Sequence, residues 1–490
     1  MGSGLSAART KHTTMNTLTG LSGLTALELG RLLAEGGTDP VTVAEYFLGR
    51  IEGAADDAIF TQVTADRALR EARASAARYR EKAPLGPLDG VPVAIKDLFD
   101  IEGIVTTAGS KVLAGGVPAL RDAACVANLR DAGMICLGKT NMPELAYSGL
   151  GLNPHFGTPR NPFDRKCARA PGGSTSGGAV AVARGLAPCA LGTDTGGSIR
   201  IPAAFNGLAG FKSSEGRIDK LGVVALSFTL DTVGPLARDV ADCIALDAVL
   251  GAALVPEMVP AGLSGLTVFV SETFGFDNLE EAVENNFRRS LALLSNAGAR
   301  MEYGEMPEFE EIERITSDHG ALSAAEAYFL YREWVESPKA AVMDGRVVQR
   351  ILGGKAMSAF DLLSVLEGRR RLIASLNEKL GANTLVAMPT SPIVAPELAP
   401  LEADDSAFFA VNRRVLRNTN LGNLLGLCGL ALPNGIGEHG LPSSIMLYAG
   451  GGRDDHLLRY GLSVEEAIAS QGTESVPVQT ERFQTGSGQE

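Results

Sequence analysis

The sequence predicts an α/β fold built as one large domain. Helix-like and strand-like segments alternate along it: Ala123 to Gly133 runs into the apolar Met134-Ile135-Cys136-Leu137-Gly138, the order a layered α/β architecture produces. No low-complexity linker and no repeat period interrupts the 490 residues, which argues against separate domains or a solenoid. With 45% apolar and 21% charged residues, the chain has ordinary globular values and enough length to bury a large core.

Taken in order, residues 1 to 20 are rich in Gly, Ser and Thr and poor in large apolar side chains, so they are expected to be disordered. Leu24 to Glu52 reads as two amphipathic helices, with Thr38-Asp39-Pro40 capping the second. Ala65 to Lys82 is a third helix by its Ala, Leu, Arg and Glu content. Val91-Pro92-Val93-Ala94-Ile95 reads as a short strand that ends by delivering Lys96 from an apolar run. The long Gly/Pro/Asn-rich loop from Met142 to Arg169 is expected to line a pocket.

Beyond it lies the densest glycine in the chain, two clusters at 172–178 and 193–198 with an apolar helix between them. Leu230 to Pro235 reads as a turn into a helix at Asp239 to Leu250. A strand at Leu266 to Ser271, a helix at Leu279 to Asn296 and a mostly helical stretch from Glu305 to Gly381 follow. Leu385 to Met388 and Leu430 to Pro433 read as strands, Phe408 to Leu425 and Asp455 to Ala469 as helices. The domain is expected to span 21 to 470, leaving 471–490 as a flexible polar tail.

Composition excludes several classes. A formal net charge of −13 argues against a nucleic-acid binder that relies on broad attraction to phosphate. The six cysteines are scattered without close pairs, as reduced cysteines of a cytosolic protein are. The N-terminus has no apolar signal core, and no stretch reaches the roughly 18 uncharged apolar residues of a membrane span; the expectation is a cytoplasmic protein. There is no HExxH or CxxC, and the five histidines are far apart, so no metal and no cofactor are expected. Neither glycine cluster supplies the Lys-Ser or Lys-Thr of a phosphate-binding P-loop.

What remains is a serine in each cluster and a lysine upstream. Glycine at this density gives access to backbone: where a chain turns sharply beside a helix start, free N–H groups converge on a point that welcomes negative charge. Ser198 follows Gly196-Gly197, and the N–H groups of Thr195, Gly196, Gly197 and Ser198 are placed to hold an oxyanion. A serine still needs a base, and no Gly-x-Ser-x-Gly elbow is present. A buried, neutral Lys96 is one reading and a lysine snorkelling from a strand end the other. Likewise, each cluster by itself reads equally as a tight turn with a solvent-facing serine.

Together these stretches resemble the amidase signature family. The resemblance is carried by Asp89-Gly90-Val91-Pro92-Val93-Ala94-Ile95-Lys96-Asp97, Gly138-Lys139-Thr140-Asn141-Met142, Pro171-Gly172-Gly173-Ser174 and Gly192-Thr193-Asp194-Thr195-Gly196-Gly197-Ser198-Ile199-Arg200. It continues through Pro202-Ala203-Ala204-Phe205 and Leu230-Asp231-Thr232-Val233-Gly234-Pro235. It implies a central mixed, twisted sheet covered by helices on both faces. It also implies a Ser-cis-Ser-Lys triad: Ser198 as acyl-forming nucleophile, Ser174 as bridging serine behind a cis peptide, Lys96 as base. Asp194 and Arg200 are expected to form a supporting ion pair. Tyr147 and Ser148 match pocket positions, and Gly172, Gly173 and Thr175 complete the expected substrate contacts.

The chain departs from the family pattern at Thr175, Ser176, Asn206 and Ser213-Ser214, none of them in the triad. These departures favour a stand-alone hydrolase of a small-molecule amide over the glutamine-dependent subunit of a tRNA amidotransferase. The same residues also admit hydrolysis of a related ester, hydrazide or urea-type bond, and a non-catalytic ligand-binding descendant of the fold. Tyr147, Phe156 and Trp334 point to an apolar or aromatic acyl group, and the resemblance leaves room for a homodimer.

Overall fold

In the computed structural model, residues 20–164 and 166–469 are described; the expectations for 1–19 and 471–490 lie outside them. The described chain is one α/β domain organised on a mixed sheet of eleven strands. In chain order these are β1 (Phe60–Val63), β2 (Pro92–Lys96), β3 (Ile135–Thr140), β4 (Ala190–Asp194), β5 (Ala209–Lys212), β6 (Thr232–Ala237), β7 (Thr267–Ser271), β8 (Arg300–Gly304), β9 (Thr384–Pro389), β10 (Cys428–Ile436) and β11 (Pro442–Ala449). Their spatial order is β1-β3-β2-β4-β6-β5-β10-β11-β9-β7-β8. Parallel pairs lie toward each edge (β3–β2–β4 and β9–β7–β8), and antiparallel pairs through the middle.

Helices cover both faces. Ser176–Ala183 packs on β2, β3, β4 and β6, Val240–Leu250 on β5 and β6, and Glu281–Asn296 on β8 to β11. Ser176–Ala183 and Val240–Leu250 are almost wholly buried, which is why their sequences are apolar all round rather than along one stripe. The predicted N-terminal helices form at Ala26–Ala34 and Pro40–Glu52, where Asp39 accepts from Val41 N and Thr42 N. Four helices fill the expected helical stretch: Pro307–His319, Leu322–Val335, Gly345–Gly353 and Ala359–Lys379. Beneath them Phe309, Ile312, Val365 and Leu372 join Met388, Met446 and Tyr448 in a second core. Among the described residues no helix is long and apolar enough to cross a membrane.

One segment is corrected. Leu230 to Pro235, read as a turn, is largely the central strand β6, antiparallel to β4 from Thr232 to Leu236. A proline inside a central strand argues against that assignment, but β5 registers only with Leu236 and Ala237, so Pro235 faces no ladder partner on that side. Gly234 belongs there because a Cβ would lie 2.2 Å from the Phe211 carbonyl oxygen.

Candidate active site

The site forms where β2 and β4 end. All five residues of β2 are buried, and the strand lies parallel to β3 and β4. Lys96 is therefore fully enclosed. Its Nζ donates to Ser174 Oγ at 2.8 Å and Thr193 Oγ1 at 2.9 Å. Burial pulls its ammonium down to about 7, against the carboxylates of Asp231 and Asp194, which pull it up. Of the two readings left open by the sequence, the snorkelling lysine does not occur.

The glycine clusters meet face to face. The Gly173–Ser174 peptide bond is cis. Thr175 then binds the second cluster, its N–H donating to the Ser198 carbonyl at 3.1 Å and its hydroxyl at 2.6 Å. The second cluster turns from β4 into the helix Arg200–Phe205. Gly197 makes that turn at φ 132°, with Thr419 so close that a Cβ would sit 2.2 Å from its hydroxyl.

Asp194 holds the turn from inside. Its carboxylate accepts from Gly197 N at 2.7 Å and Ile199 N at 3.1 Å, and pairs with Arg200 through Nη2 at 2.9 Å and Nε at 3.0 Å. Both side chains are fully buried, and Arg200 also reaches Thr419 O, Asn423 Oδ1 and Tyr448 Oη, so the expected ion pair is present with its remaining donors satisfied. Although burial opposes it, Arg200 drives the Asp194 carboxyl well below the usual range. One expected oxyanion donor is thereby corrected: the Gly197 N–H is spent on Asp194. The N–H groups of Thr195, Gly196 and Ser198 have no acceptor among the described residues.

Ser198 opens onto a narrow cavity of about 40 Å³ that it lines with Tyr147, Ser148, Thr195, Gly196, Ser323 and Arg350. Ser323, Arg350, Leu416 and Asn420 are shared with a wider cavity of about 790 Å³ between the helical region and the helix Asp405–Leu424. Of the expected substrate contacts, Tyr147 and Ser148 reach the cavity. Gly172, Gly173 and Thr175 do not line it: the glycines pack behind it against Pro202 and Ser148, and Thr175 is engaged with the Ser198 carbonyl.

Phe156 and Trp334 line neither cavity; Tyr147 lines the narrow one, and the wider one has other apolar walls, Phe274, Phe409 and Leu421 among them, beside Arg350 and Asn420. The Arg350 guanidinium stacks 4.0 Å over the Tyr147 ring and donates to the Tyr147 carbonyl at 2.6 Å. No carboxylate pairs with it among the described residues, and burial pulls it below the ordinary arginine range. Sequence reasoning also missed Thr193 and Asn420. Thr193 lies within the motif that flagged Ser198, whereas Arg350 and Asn420 come from helices with no local signal of chemistry.

The sheet thus brings a glycine-bedded serine, a second serine and a buried lysine to the ends of β2 and β4, an arrangement suited to hydrolytic chemistry. A family model described as Amidase matches residues 42–458, and the chain belongs to this amidase signature family. It is 34% identical over 489 aligned residues to the A subunit of the glutamyl-tRNA(Gln) amidotransferase of Acidothermus cellulolyticus, covering 90% of this chain and 94% of the relative. It is 32% identical over 392 residues to the 2-amino-5-chloromuconic acid deaminase of Comamonas testosteroni, covering 79% and 83%. Among solved structures, one described as an amidase superposes with a TM-score of 0.81 at 32% identity, covering 90% of this chain and 99% of that one. The protein is an enzyme of that family, acting on carbon–nitrogen bonds.

Proposed function

We propose that the protein hydrolyses the carboxamide of a small molecule that also carries a carboxylate, through an ester formed on Ser198. The observation that carries the reading is the Lys96 Nζ to Ser174 Oγ bond at 2.8 Å, behind a serine that faces a cavity. Neutral Lys96 takes the Ser174 proton as Ser174 takes the Ser198 proton, and Ser198 Oγ bonds to the amide carbon. The charge that develops on the carbonyl oxygen rests on the N–H groups of Thr195, Gly196 and Ser198, an interaction in which one donor is worth about 10²–10³ in rate. Lys96 returns its proton through Ser174 to the amide nitrogen, the C–N bond breaks and the amine leaves. Water then attacks the ester by the same relay, giving the acid and free Ser198.

Because Lys96 must be neutral and holds its proton to about pH 7, kcat/KM is expected to rise with pH through that value. The rate at pH 6 should be roughly a tenth of the plateau. A profile flat from pH 5.5 to 8.5 would remove Lys96 from the base role.

Arg350 supports the carboxylate. An arginine at the cavity wall without a counter-ion is costly unless an anion arrives to pair with it. Arg350→Met should raise KM for a carboxylated amide about 10- to 100-fold, the worth of a charged hydrogen bond, and leave its uncharged analogue within about twofold. Equal effects on both would show that Arg350 does not read charge. Screening paired carboxylated and neutral amides, with esters and hydrazides alongside, tests the substrate class directly.

A second reading, glutamine-dependent transfer within an amidotransferase complex, is favoured by the names of relatives at 33–34% identity, and glutamine itself carries a carboxylate. Glutaminase activity that appears only with partner subunits would select it.

A further inference from the structure

Resting on Ser198 as nucleophile, we propose that Glu326 is a positioning residue for the oxyanion turn, holding Thr195 in place from the helical region through the loop 225–231. Glu326 lies on the helix Leu322–Val335 and is 5% exposed. No lysine, arginine or histidine pairs with it among the described residues. Among the described residues, every hydrogen bond its carboxylate accepts comes from one loop: Oε2 accepts from the Ser227 hydroxyl and from Thr229 N at 3.1 Å, and Oε1 from Thr229 Oγ1 at 2.5 Å. Five residues further along the same helix, the Tyr331 hydroxyl donates to the Ala225 carbonyl.

The loop passes this anchorage on to the site. Leu226 N and Ser227 N donate to Asp231 Oδ2 at 2.9 and 3.1 Å, while Asp231 Oδ1 accepts from Thr195 Oγ1 at 2.5 Å. Thr195 is the first residue of the turn that lines the cavity with Gly196 and Ser198, their N–H groups without an acceptor among the described residues. Ser323, one helical turn before Glu326, lines that cavity beside Ser198, and Leu226 lines it from the loop. One helix therefore touches the space where substrate sits and, through two carboxylates in series, the turn that must hold its oxyanion. A buried carboxylate without a counter-ion is tolerated only when its hydrogen bonds are met, and here every partner belongs to the loop.

The test needs no knowledge of the substrate. A fluorophosphonate probe phosphonylates the nucleophilic serine, and its P=O oxygen uses the same donors as the amide oxyanion. For the full-length protein, the final labelling stoichiometry counts folded sites and the second-order rate constant reports how well the turn is formed. Glu326→Ala is expected to keep the stoichiometry and lower the rate constant about 10- to 100-fold, as a small misplacement of donors does. Glu326→Gln, which retains acceptors, should return to within about threefold of the parent.

In a Thr195→Val background, which lacks the hydroxyl that Asp231 receives, Glu326→Ala should add less than about a twofold loss. A Glu326→Ala rate constant equal to the parent's, or effects of Glu326→Ala and Thr195→Val that multiply independently, would overturn the proposal. If Glu326→Ala labels poorly, the Ser227→Ala/Thr229→Val pair interrogates the contact from the loop side, with the same results expected and the same results decisive. Failure to label Ser198 in the parent protein would instead sink the nucleophile assignment, and this proposal with it.

Discussion

Ser198→Ala is expected to abolish covalent labelling and turnover outright, with the protein still folded. Ser198 faces the cavity, whereas Ser174 is fully buried and accepts from Lys96, so the hydroxyl a substrate can reach belongs to Ser198. The substitution removes only a hydroxyl from a wall of the cavity and leaves the carbonyl that Thr175 holds, so stability should change little. Mass spectrometry after fluorophosphonate treatment would read the mass shift. An adduct persisting on Ser198→Ala, or one mapping to Ser174 in the parent, would exchange the two serines' roles.

The second large effect is at Lys96. Lys96→Ala should lower kcat/KM at neutral pH by about 10²–10⁴, the usual worth of a positioned base. Lys96→Arg separates two explanations. Arginine keeps the positive charge but does not give up its proton in proteins, so a base role leaves Lys96→Arg inactive across pH 6–9, whereas a purely electrostatic role leaves it active. Substantial activity in Lys96→Arg would therefore show that the proton relay ends elsewhere.

Much of this site was legible because its parts lie in contiguous motifs. Lys96 ends an apolar strand, and a charged residue closing such a run is visible in the sequence; so are glycines too dense for packing around Ser174 and Ser198. The partners of the Asp194–Arg200 pair lie six positions apart and fall inside one of those motifs. The sheet was less legible at its edges. β1 and β8 are short, half-exposed strands without the apolar run that marks a buried one. β11 did carry such a signal in Ile445-Met446-Leu447-Tyr448, and β6 was hidden by Gly234 and Pro235, which read locally as a turn.

The walls of the pocket were only partly legible, for a different reason: of the three aromatic residues expected there, Tyr147 lines a cavity and Phe156 and Trp334 do not. Tyr147, Phe156 and Trp334 suggested apolar walls, but whether an aromatic ring faces a cavity is set by tertiary packing. Arg350, which covers Tyr147, lies about 200 residues away in sequence. Similarly, the spending of the Gly197 N–H on Asp194 is a matter of backbone direction that residue types do not encode.

The pairing of β5 with β10 joins two unequal halves of the chain. Before it stand Lys96, Ser174 and Ser198; after it stand most of the walls that decide what reaches them, Arg350 and Asn420 among them. Such an arrangement lets selectivity diverge by exchange of the later segment while the reacting groups are inherited unchanged. On the roles proposed for Ser198 and Glu326, it also limits which exchanges succeed: a transplanted helical region must bring an acceptor at the place of Glu326, or the incoming walls will surround a nucleophile whose anion-holding turn has lost its support.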